Sequence, residues 1–443
     1  MAKNMSAREM AFSILRRAVQ TSTYSNIALD RALSGTELPT ADRGLVTAIV
    51  MGVVERRLTL DFIIDRLASS PDKIDADTRV ILRMGVYQLV FLDRIPEYAA
   101  VNESVSLAPR RSKGFVNAIL RSLLRLKSGD GIDSLFDECR DDAVRYLSLR
   151  YSFPEDMCEI FTQIYGRERA ERIFEIFNAP PLMTLRINTL KTSVENYTAE
   201  LMAAGIEYTL SKNLENAVTV KGVGFDSLPH ADEGYFFVQD EASQTCAMAV
   251  GAKSGELVID ACSCPGSKSF GMAINMQNSG KVMSFDLHQS KLSLVRDGAE
   301  RLGIDIIEVA AHDARERIDE LVGAADRVLC DVPCSGLGVI AKKPEIRYKS
   351  ADEFARLPDI QYAILENCSA YVKRGGVLVY STCTVLPAEN ECNVQRFLSE
   401  HPEFEAEDFR VGERASRSGM LSLAPDVDGT DGFFIAKMKR KEN

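Results

Sequence analysis

The stretch VIDACSCPGSK at Val258–Lys268 decides the fold class of this chain. It begins with apolar residues that end in an acid, which predicts a buried strand. The Cys, Pro, Gly and Ser residues that follow predict a loop before a helix. Gly266 permits unusual backbone angles or the close approach of a ligand. The stretch matches neither G-x-G-x-x-G nor a phosphate loop. Alone, it is as typical of an ordinary strand-to-helix turn as of a ligand cradle made of backbone amides.

Strands and helices alternate from Asp240 onward, which predicts β-α-β units and a mainly parallel sheet. We expect five parallel strands and a closing pair near Ala406–Val411 and Gly432–Lys439, which makes a seven-stranded sheet. The parallel strands are expected at Leu257–Ala261, Lys281–Asp286, Ile306–Ala310, Arg327–Asp331 and Gly376–Ser381. Residues 240–443 are therefore predicted to form an α/β domain.

The first 130 residues show helical periodicity without strand-like alternation. Ser6–Glu9 has the pattern of a capping box, in which serine and glutamate satisfy the free amides of the first helical turn. Apolar faces recur at helical spacing, including Ile27–Leu33 and Phe115–Leu126. These residues are predicted to form an all-α bundle that ends at a linker, Ser128–Gly131.

Residues 131–239 mix the two periodicities. Three helices are expected between Ala143 and Phe177, followed by strands at Leu182–Asn188 and near Glu207–Leu210. This pattern predicts a small α+β region. A chain of 443 residues is too long for one hydrophobic core, so we expect a multidomain protein with domains at 1–130, 131–239 and 240–443.

The composition is that of an ordinary globular protein, with 46% hydrophobic and 26% charged residues. The longest apolar run, Gly44–Val54, is too short to span a bilayer. The first helix carries charges throughout instead of a secretion-type apolar segment. We therefore expect a cytoplasmic protein without a membrane partner.

Ten cysteines and four histidines do not predict a metal site. The cysteines form no C-x-x-C pair, and the histidines are scattered. Structural zinc sites need closely spaced ligands, so we expect no bound metal. In a reducing compartment the cysteines are expected to be thiols, mostly buried as small apolar side chains.

A net charge of −11 argues weakly against nucleic-acid binding, but the charges are unevenly distributed. Residues 101–127 contain six basic residues and one acid, Glu103, which gives a local charge of +5. The basic residues are Arg110, Arg111, Lys113, Arg121, Arg125 and Lys127. From charge alone, a phosphate-binding face and a solvated helix face are equally compatible with this pattern.

Acidic residues follow three successive predicted strands, at Asp260, Asp286 and Asp313. The carboxyl ends of parallel strands face the ligand crevice of an open α/β sheet. An acid after the second strand commonly accepts hydrogen bonds from ribose hydroxyls, and Asp313 could bind an adenine amino group. Each acid alone is more often a helix cap. Together they favour a cofactor that contains a nucleoside.

Two cysteines lie at the ends of the next two predicted strands, in DVPCSG at Asp331–Gly336 and STCT at Ser381–Thr384. A buried, inert thiol is the usual role of a single cysteine. Two thiols at neighbouring strand ends suit chemistry at carbon 5 of cytosine, which is a poor nucleophile. A thiolate that adds to carbon 6 activates carbon 5 towards an electrophilic methyl group. An acid would assist at the edge of the ring, and a second thiol would assist release.

Several stretches resemble the bacterial Fmu/Sun family of 16S ribosomal RNA cytosine-5 methyltransferases. The most specific are DACSCPGSK, DVPCSGLGVI and LVYSTCTVLPAENE. AVNESVSLAPR and KGFVNAILR resemble the N-terminal NusB-like RNA-binding domain of that family. LRINTLK and VQDEASQ resemble its middle region, and DGFFIAKMKR resembles its closing strand. The resemblance covers nearly the whole chain, and implies a Rossmann-like methyltransferase fold for residues 240–443.

The resemblance also implies roles for individual residues. Cys383 would be the nucleophile on carbon 6, Cys334 would assist product release, and Asp331 would contact the cytosine beside the cofactor. The cofactor would be S-adenosylmethionine, and the substrate small-subunit ribosomal RNA. The cofactor-binding residues would be Cys262, Ser263, Cys264, Pro265, Gly266, Ser267, Lys268, Asp286, Asp313 and Asp331. No obligate protein partner is implied, so we expect a monomer.

The chain departs from the family pattern in the loop, where Ser267 replaces a glycine and Cys264 adds a thiol. If residue 267 required a positive φ, serine would cost about 1–2 kcal/mol there and weaken cofactor binding. Pro109 also interrupts a stretch that would otherwise be helical. Two alternatives stay open. One is a non-catalytic RNA-binding or assembly factor. The other is an amino-directed methyltransferase that uses Asp331–Cys334 as its base clamp.

Overall fold

The computed structural model describes residues 5–21, 29, 32–33, 36 and 38–442 of the chain. Its internal contacts divide it into two compact units. The first contains the described residues up to Ala179 together with Ile340–Ala351. The second contains Pro180–Val339 and the described residues from Asp352 onward. The finer division into domains at residues 130 and 239 stays a prediction.

The first unit is built from helices, which confirms the predicted all-α character. The Glu9 amide donates to Ser6 Oγ at 3.2 Å and the Ser6 amide donates to Glu9 Oε2 at 2.8 Å, as a capping box requires. The apolar face predicted at Ile27–Leu33 lies mostly outside the described residues. The helices are α1 (Ala7–Thr21), α2 (Thr40–Glu55), α3 (Arg57–Leu67), α4 (Ala76–Phe91), α5 (Glu97–Leu107), α6 (Lys113–Ser128), α7 (Ala143–Tyr151), α8 (Glu155–Tyr165) and α9 (Arg167–Phe177).

Apolar faces of helices α1 to α6 meet in one core. Ile49 of α2, Ile63 of α3, Ile81 of α4 and Leu120 of α6 are all fully buried in it. Helix α5 ends two residues before Pro109, and the Pro109 carbonyl accepts a hydrogen bond from the Ser112 amide at 2.8 Å. The proline therefore marks the turn into α6.

The second unit begins with a four-stranded antiparallel sheet in the order β2-β3-β1-β4. The sequence predicts β1 and β2 but not β3 and β4, which have four and three residues and are defined by their pairing with β1. The elements are β1 (Met183–Ile187), α10 (Val194–Ala203), β2 (Tyr208–Leu210), β3 (Ala217–Val220) and β4 (Phe236–Val238).

The main sheet has the order β10-β14-β9-β8-β5-β6-β7, and a short strand, β13, pairs with β14 as well. Strands β9, β8, β5, β6 and β7 are parallel, and β14 is antiparallel to β9. The predicted mainly parallel α/β sheet is confirmed. The elements, in chain order, are α11 (Glu241–Val250), β5 (Leu257–Asp260), α12 (Ser267–Asn275), β6 (Lys281–Asp286), α13 (Leu292–Leu302), β7 (Ile307–Ala311), β8 (Ala325–Asp331), α14 (Ala351–Phe354), α15 (Leu357–Ser369), β9 (Val372–Thr382), α16 (Glu391–Glu400), β10 (Phe404–Ala406), β11 (Arg410–Val411), β12 (Arg414–Ala415), β13 (Met420–Leu423), α17 (Pro425–Asp428) and β14 (Phe433–Arg440).

Both faces of the main sheet are buried, as expected for parallel strands. Successive side chains of a strand point to opposite faces, so Val258 packs with α11, α12 and α13, and Ile259 packs with α15 and α16. The predicted strand near Ala406–Val411 needs correction. Of this segment, only Phe404–Ala406 joins the main sheet, where it pairs with β14. Arg410–Val411 forms a separate hairpin with β12. In the described residues, no helix has the length and apolar character needed to cross a membrane.

Candidate active site

The polar residues of the predicted site lie at the carboxyl edge of the main sheet. Asp331 of β8 is in register with Ser381 of the adjacent parallel strand β9. Asp260 ends β5 and Asp286 ends β6, on the strands that continue the same sheet. Carboxyl ends of neighbouring parallel strands meet at one edge, which is where open α/β sheets bind their ligands.

The loop after β5 is shaped by its own backbone. The Ser263 amide donates to the carbonyl of Phe285, and the Gly266 amide donates to the carbonyl of Ser263, each at 2.7 Å. Gly266 has a φ of +110°, and a Cβ there would lie 2.5 Å from the ring of Phe270. Glycine is therefore required at position 266. Ser267 is the first residue of α12 and lies outside the left-handed region, so the expected penalty for serine at this position does not arise.

Asp286 and Asp313 are held by different partners. The two carboxylate oxygens of Asp286 accept hydrogen bonds from the amides of Cys264 at 3.3 Å and His288 at 2.9 Å. Asp313 follows β7 and accepts two hydrogen bonds from the guanidinium of Arg315. Arg315 Nε donates to Asp313 Oδ1 at 2.9 Å, and Nη2 donates to Oδ2 at 2.6 Å. The hydrogen bonds from Arg315 lower the pKa of Asp313 to about 2. Both acids therefore lie at the sheet edge, and their predicted contacts with a nucleoside stay predictions.

The buried Lys268 and the half-buried Asp331 form an ion pair, with Lys268 Nζ 2.5 Å from Asp331 Oδ2. Ser381 Oγ donates to the other carboxylate oxygen of Asp331 at 2.7 Å. The ammonium group also lies over the ring of Phe433, 5.2 Å from its centre. Burial lowers the pKa of Lys268, but the charge and hydrogen bond of Asp331, together with the charges of Cys246 and Cys383, outweigh burial and raise it above the ordinary value. Lys268 therefore carries a positive charge at neutral pH.

The two predicted catalytic thiols lie together. Cys334 Sγ is 3.2 Å from Cys383 Sγ, and both side chains are partly exposed. The contact with Cys383 raises the pKa of Cys334, and burial and the negative charges of Cys383 and Glu389 raise it further. Burial also raises the pKa of Cys264, to about 12, and that of Cys262. Thus the two thiols of the loop are protonated at neutral pH and do not compete as nucleophiles.

Three further residues belong to this site but were not predicted as individual site residues. Asp260 is fully buried and accepts a hydrogen bond from Ser269 Oγ at 2.7 Å, and its burial raises its pKa to about 7. Ser381 precedes the STCT cysteine by two residues, so its alignment with Asp331 could be inferred from strand register. The contact between Phe433 and Lys268 has no local sequence signal, because Phe433 lies on β14, which is distant from Lys268 in the chain.

The sequence of the whole chain is similar to curated proteins. It is 38% identical to the "Probable ribosomal RNA small subunit methyltransferase B" of Bacillus subtilis, over 99% of this chain and 100% of that protein. The chain belongs to the 16S rRNA methyltransferase RsmB/F family. The family model of that description matches residues 247–439. Residues 5–125 match the NusB family, and residues 153–224 match the ferredoxin-like domain of RsmF/B-like methyltransferases.

Other members of the RsmB/F family and a solved structure agree with this assignment. The namesake protein of Synechocystis is 36% identical, over 98% of this chain and 100% of that one. The crystal structure of PH0851 matches with a TM-score of 0.79 and 26% identity, over 99% of this chain and 100% of that one. The predicted family, the NusB-like bundle and the Rossmann-like methyltransferase fold are therefore confirmed.

The cofactor of this RsmB/F family member is S-adenosylmethionine. The loop at Cys262–Lys268 fits a polar nucleoside ligand, because Ser263 Oγ is buried there without a hydrogen-bond partner among the described residues. The nearby carboxylates at the same sheet edge suit a ligand that carries hydroxyl, amino and sulfonium groups. Among the described residues, no group of three or more His, Cys, Asp or Glu side chains could hold a metal ion.

Proposed function

We propose that this chain transfers a methyl group from S-adenosylmethionine to carbon 5 of a cytosine in 16S ribosomal RNA. The reaction would proceed through an intermediate in which the sulfur of Cys383 is covalently bonded to the cytosine. The observation that carries the proposal is the pair of partly exposed thiols 3.2 Å apart, on the same sheet edge as the Lys268–Asp331 ion pair. The names of the curated relatives, which are small-subunit ribosomal RNA methyltransferases, support the choice of substrate.

The first step is the attack of the Cys383 thiolate on carbon 6 of the cytosine. A bond forms between sulfur and carbon 6, and the displaced electron pair makes carbon 5 nucleophilic while negative charge develops on the ring. Asp331 would contact the edge of the ring. The positive charge of Lys268 next to Asp331 would offset the charge that the ring acquires. When bound, S-adenosylmethionine supplies an electrophilic methyl group to carbon 5.

Release requires loss of the proton at carbon 5. The electron pair of that carbon–hydrogen bond forms the new double bond to carbon 6 and expels the Cys383 thiolate. We assign Cys334 to this step. Its thiol first loses its own proton to solvent, and the resulting thiolate then accepts the proton from carbon 5. The pKa of Cys334 is raised chiefly by Cys383. Once the sulfur of Cys383 is bonded to carbon, that influence disappears, so Cys334 becomes a thiolate more readily after the adduct has formed.

The remaining predicted residues would hold the cofactor. The loop residues Cys262–Lys268 would bind it through backbone amides, and Asp286 and Asp313 would accept hydrogen bonds from its ribose and adenine. Asp286 already accepts two backbone amides, so it would also keep the loop in shape. Asp331 would lie beside both the cofactor and the cytosine.

We assign RNA binding to residues 1–130, with 131–239 as a middle region and 240–443 as the methyltransferase domain. The six basic side chains between residues 101 and 127 are all exposed, as a phosphate-binding face requires. Two of them also form ion pairs, Arg111 with Asp75 and Lys127 with Glu97. Exposed pairs of this kind are weak and can give way to phosphate. A monomeric state and a cytoplasmic location stay predictions.

Mapping of 5-methylcytosine in 16S ribosomal RNA by mass spectrometry tests the proposal, with the wild-type protein and S-adenosylmethionine as the reference. Cys383→Ala should abolish the product, because no adduct forms. Cys334→Ala should retain the attack and accumulate a covalent RNA–protein adduct on denaturing gels. Cys392→Ala, which removes an exposed thiol, is the matched control and should behave as wild type. Methylation by Cys383→Ala, or a product methylated on an exocyclic nitrogen, would refute the mechanism. Failure to bind the methyl donor would favour a non-catalytic RNA-binding role.

A further inference from the structure

Glu389 is a buried carboxylate in the stretch PAENE at Pro387–Glu391, which follows strand β9. Only 1% of its surface is exposed. Burial of a carboxylate is costly unless hydrogen bonds or an opposite charge compensate for it. No step of the proposed mechanism uses Glu389, so its contacts should show why an acid is placed there.

The carboxylate of Glu389 connects the two cysteine loops. Its Oε2 accepts hydrogen bonds from the Ser335 amide at 3.0 Å and from Gln361 Nε2 at 2.6 Å. Its Oε1 accepts a hydrogen bond from Thr384 Oγ1 at 3.4 Å. All three donors are uncharged. Ser335 directly follows Cys334, and Thr384 directly follows Cys383, so one side chain holds the residue next to each thiol.

Further bonds make this connection rigid. Ser335 Oγ and Thr384 Oγ1 are 2.6 Å apart, and the Gly338 amide donates to the Cys383 carbonyl at 2.9 Å. The backbone carbonyl of Glu389 accepts the hydroxyl of Tyr380, on β9, at 2.6 Å. The separation of the two sulfurs therefore depends on where Glu389 lies.

The charges around the thiol pair are asymmetric. The negative charge of Glu389 acts on Cys334 and contributes to its raised pKa, after the contact with Cys383 and burial. On the other side, Lys268 interacts electrostatically with Cys383. A nearby anion disfavours a thiolate and a nearby cation favours one. The neighbouring charges of the two thiols thus differ in sign, with an anion acting on Cys334 and a cation acting on Cys383.

We propose that Glu389 is a positioning residue that sets the spacing of the two cysteines and keeps Cys334 protonated while Cys383 attacks. It would act through the residues that follow the two cysteines, which its carboxylate contacts. The inference rests on the proposed function for the roles of the two thiols, but not for the geometry that connects them. The charge of Glu389 gives the two thiols different roles by disfavouring the thiolate of Cys334. Its hydrogen bonds hold the two cysteine loops together.

Alkylation by iodoacetamide tests the charge effect in the full-length protein, without RNA or methyl donor. Modification of Cys334 and Cys383 would be quantified separately by peptide mass spectrometry from about pH 6 to pH 10. Glu389→Gln preserves the shape and one acceptor but removes the charge. The matched control is Glu391→Gln, which removes an equal charge two residues away, where the carboxylate accepts a hydrogen bond from Ser422.

In Glu389→Gln the pH of half-maximal alkylation of Cys334 should fall by about one unit, because a nearby anion no longer opposes the thiolate. The titratable groups that act on Cys334 are Cys383, Glu389 and Tyr380, and only one of them is changed. Glu391→Gln should leave the profile unchanged. An unchanged Cys334 profile in Glu389→Gln would overturn the charge role, whatever the outcome of the methylation experiments.

Methyl transfer tests the spacing. Glu389→Ala removes the acceptors as well as the charge, and should lower the rate about 100-fold, since misplacement of catalytic groups by about 1 Å has effects of this size. Glu389→Gln should retain more activity than Glu389→Ala, because it retains an acceptor for the Ser335 amide. A wild-type rate in folded Glu389→Ala would overturn the spacing role. If Glu389→Ala does not fold, the methyl-transfer rate of Glu389→Gln is compared with that of Glu391→Gln instead. Equal rates in these two variants would overturn the spacing role. Persistent methylation by Cys383→Ala would instead refute the proposed function and leave the alkylation result intact.

Discussion

The two halves of the carboxyl edge of the main sheet hold their charged side chains in different ways. At the end of β8, Asp331 pairs with Lys268 of α12, and the side chains of Lys268 and Asp331 are 11% and 25% exposed. At the end of β7, Arg315 and Asp313 form a pair in which they are 48% and 21% exposed. The first pair is anchored further by Ser381, whereas Arg315 extends into solvent.

This difference has an energetic consequence. Exposed ion pairs contribute little to stability, because water and salt screen them. Breaking a buried pair leaves an uncompensated charge in the protein interior, which is expensive. The half of the edge that would carry out the covalent chemistry is therefore rigid before any ligand binds. The half that would hold the nucleoside can exchange its partners as a ligand enters.

The largest expected effect tests this comparison directly. Lys268→Met should lower the free energy of unfolding by about 2–3 kcal/mol, because the half-buried carboxylate of Asp331 loses its charged hydrogen-bond donor. Methyl transfer should be lost as well. The midpoint of urea denaturation measures the first effect. Arg315→Met, which breaks the more exposed pair, is the control and should shift the midpoint much less, because solvent screens this pair. Equal shifts in the two variants would contradict the distinction between the halves.

A second, smaller effect concerns Asp260, which lies on the central strand between the two halves. Burial raises its pKa to about 7, so the unfolded chain loses this proton at lower pH than the folded protein does. Ionisation is thus disfavoured in the fold, and stability falls as the pH rises towards about 7 and then levels off. From about pH 5.5 to 7 the wild type should lose about 2 kcal/mol relative to Asp260→Asn.

Thermal or urea unfolding at a series of pH values measures this difference. Asp326→Asn is a suitable control, because Asp326 is a carboxylate whose pKa is lowered in the fold, despite some burial, by hydrogen bonds from Lys373 and Leu257. Asp326 is ionised in both states throughout this range, so its variant should show a constant difference from wild type. A constant difference for Asp260→Asn would mean that Asp260 does not titrate near neutral pH.

Much of the architecture could be predicted because its signals are local. The alternation of strands and helices after Asp240 identified the parallel sheet. Several predicted strands end in Asp or are followed by Cys. In an open α/β sheet the carboxyl ends of parallel strands meet at one edge, so these polar residues were predicted to lie there. For this reason Asp331, Cys334 and Cys383 could be grouped before their distances were known.

The contacts that organise the site could not be predicted, because they join residues far apart in the chain. Lys268 and Asp331 are 63 residues apart, and Ser335 and Glu389 are 54 residues apart. Nothing in the stretch around Glu389 indicates that it is buried. Short strands such as β3 and β13 escaped prediction because they are defined by their partners, not by their own periodicity.

The smallest effects concern the loop before α12, where the backbone decides which substitutions are tolerated. Gly266→Ala combines a left-handed φ with a Cβ 2.5 Å from the ring of Phe270, so binding of S-adenosylmethionine should weaken at least about tenfold. Ser267→Gly restores the glycine of the family pattern at a helical position that does not need it. Its affinity should stay within about twofold of wild type, since no positive φ is relieved. Isothermal titration calorimetry measures both variants. Markedly tighter binding by Ser267→Gly would show that the cofactor-bound loop moves the left-handed residue from 266 to 267, and that this half of the edge rearranges more than its free form indicates.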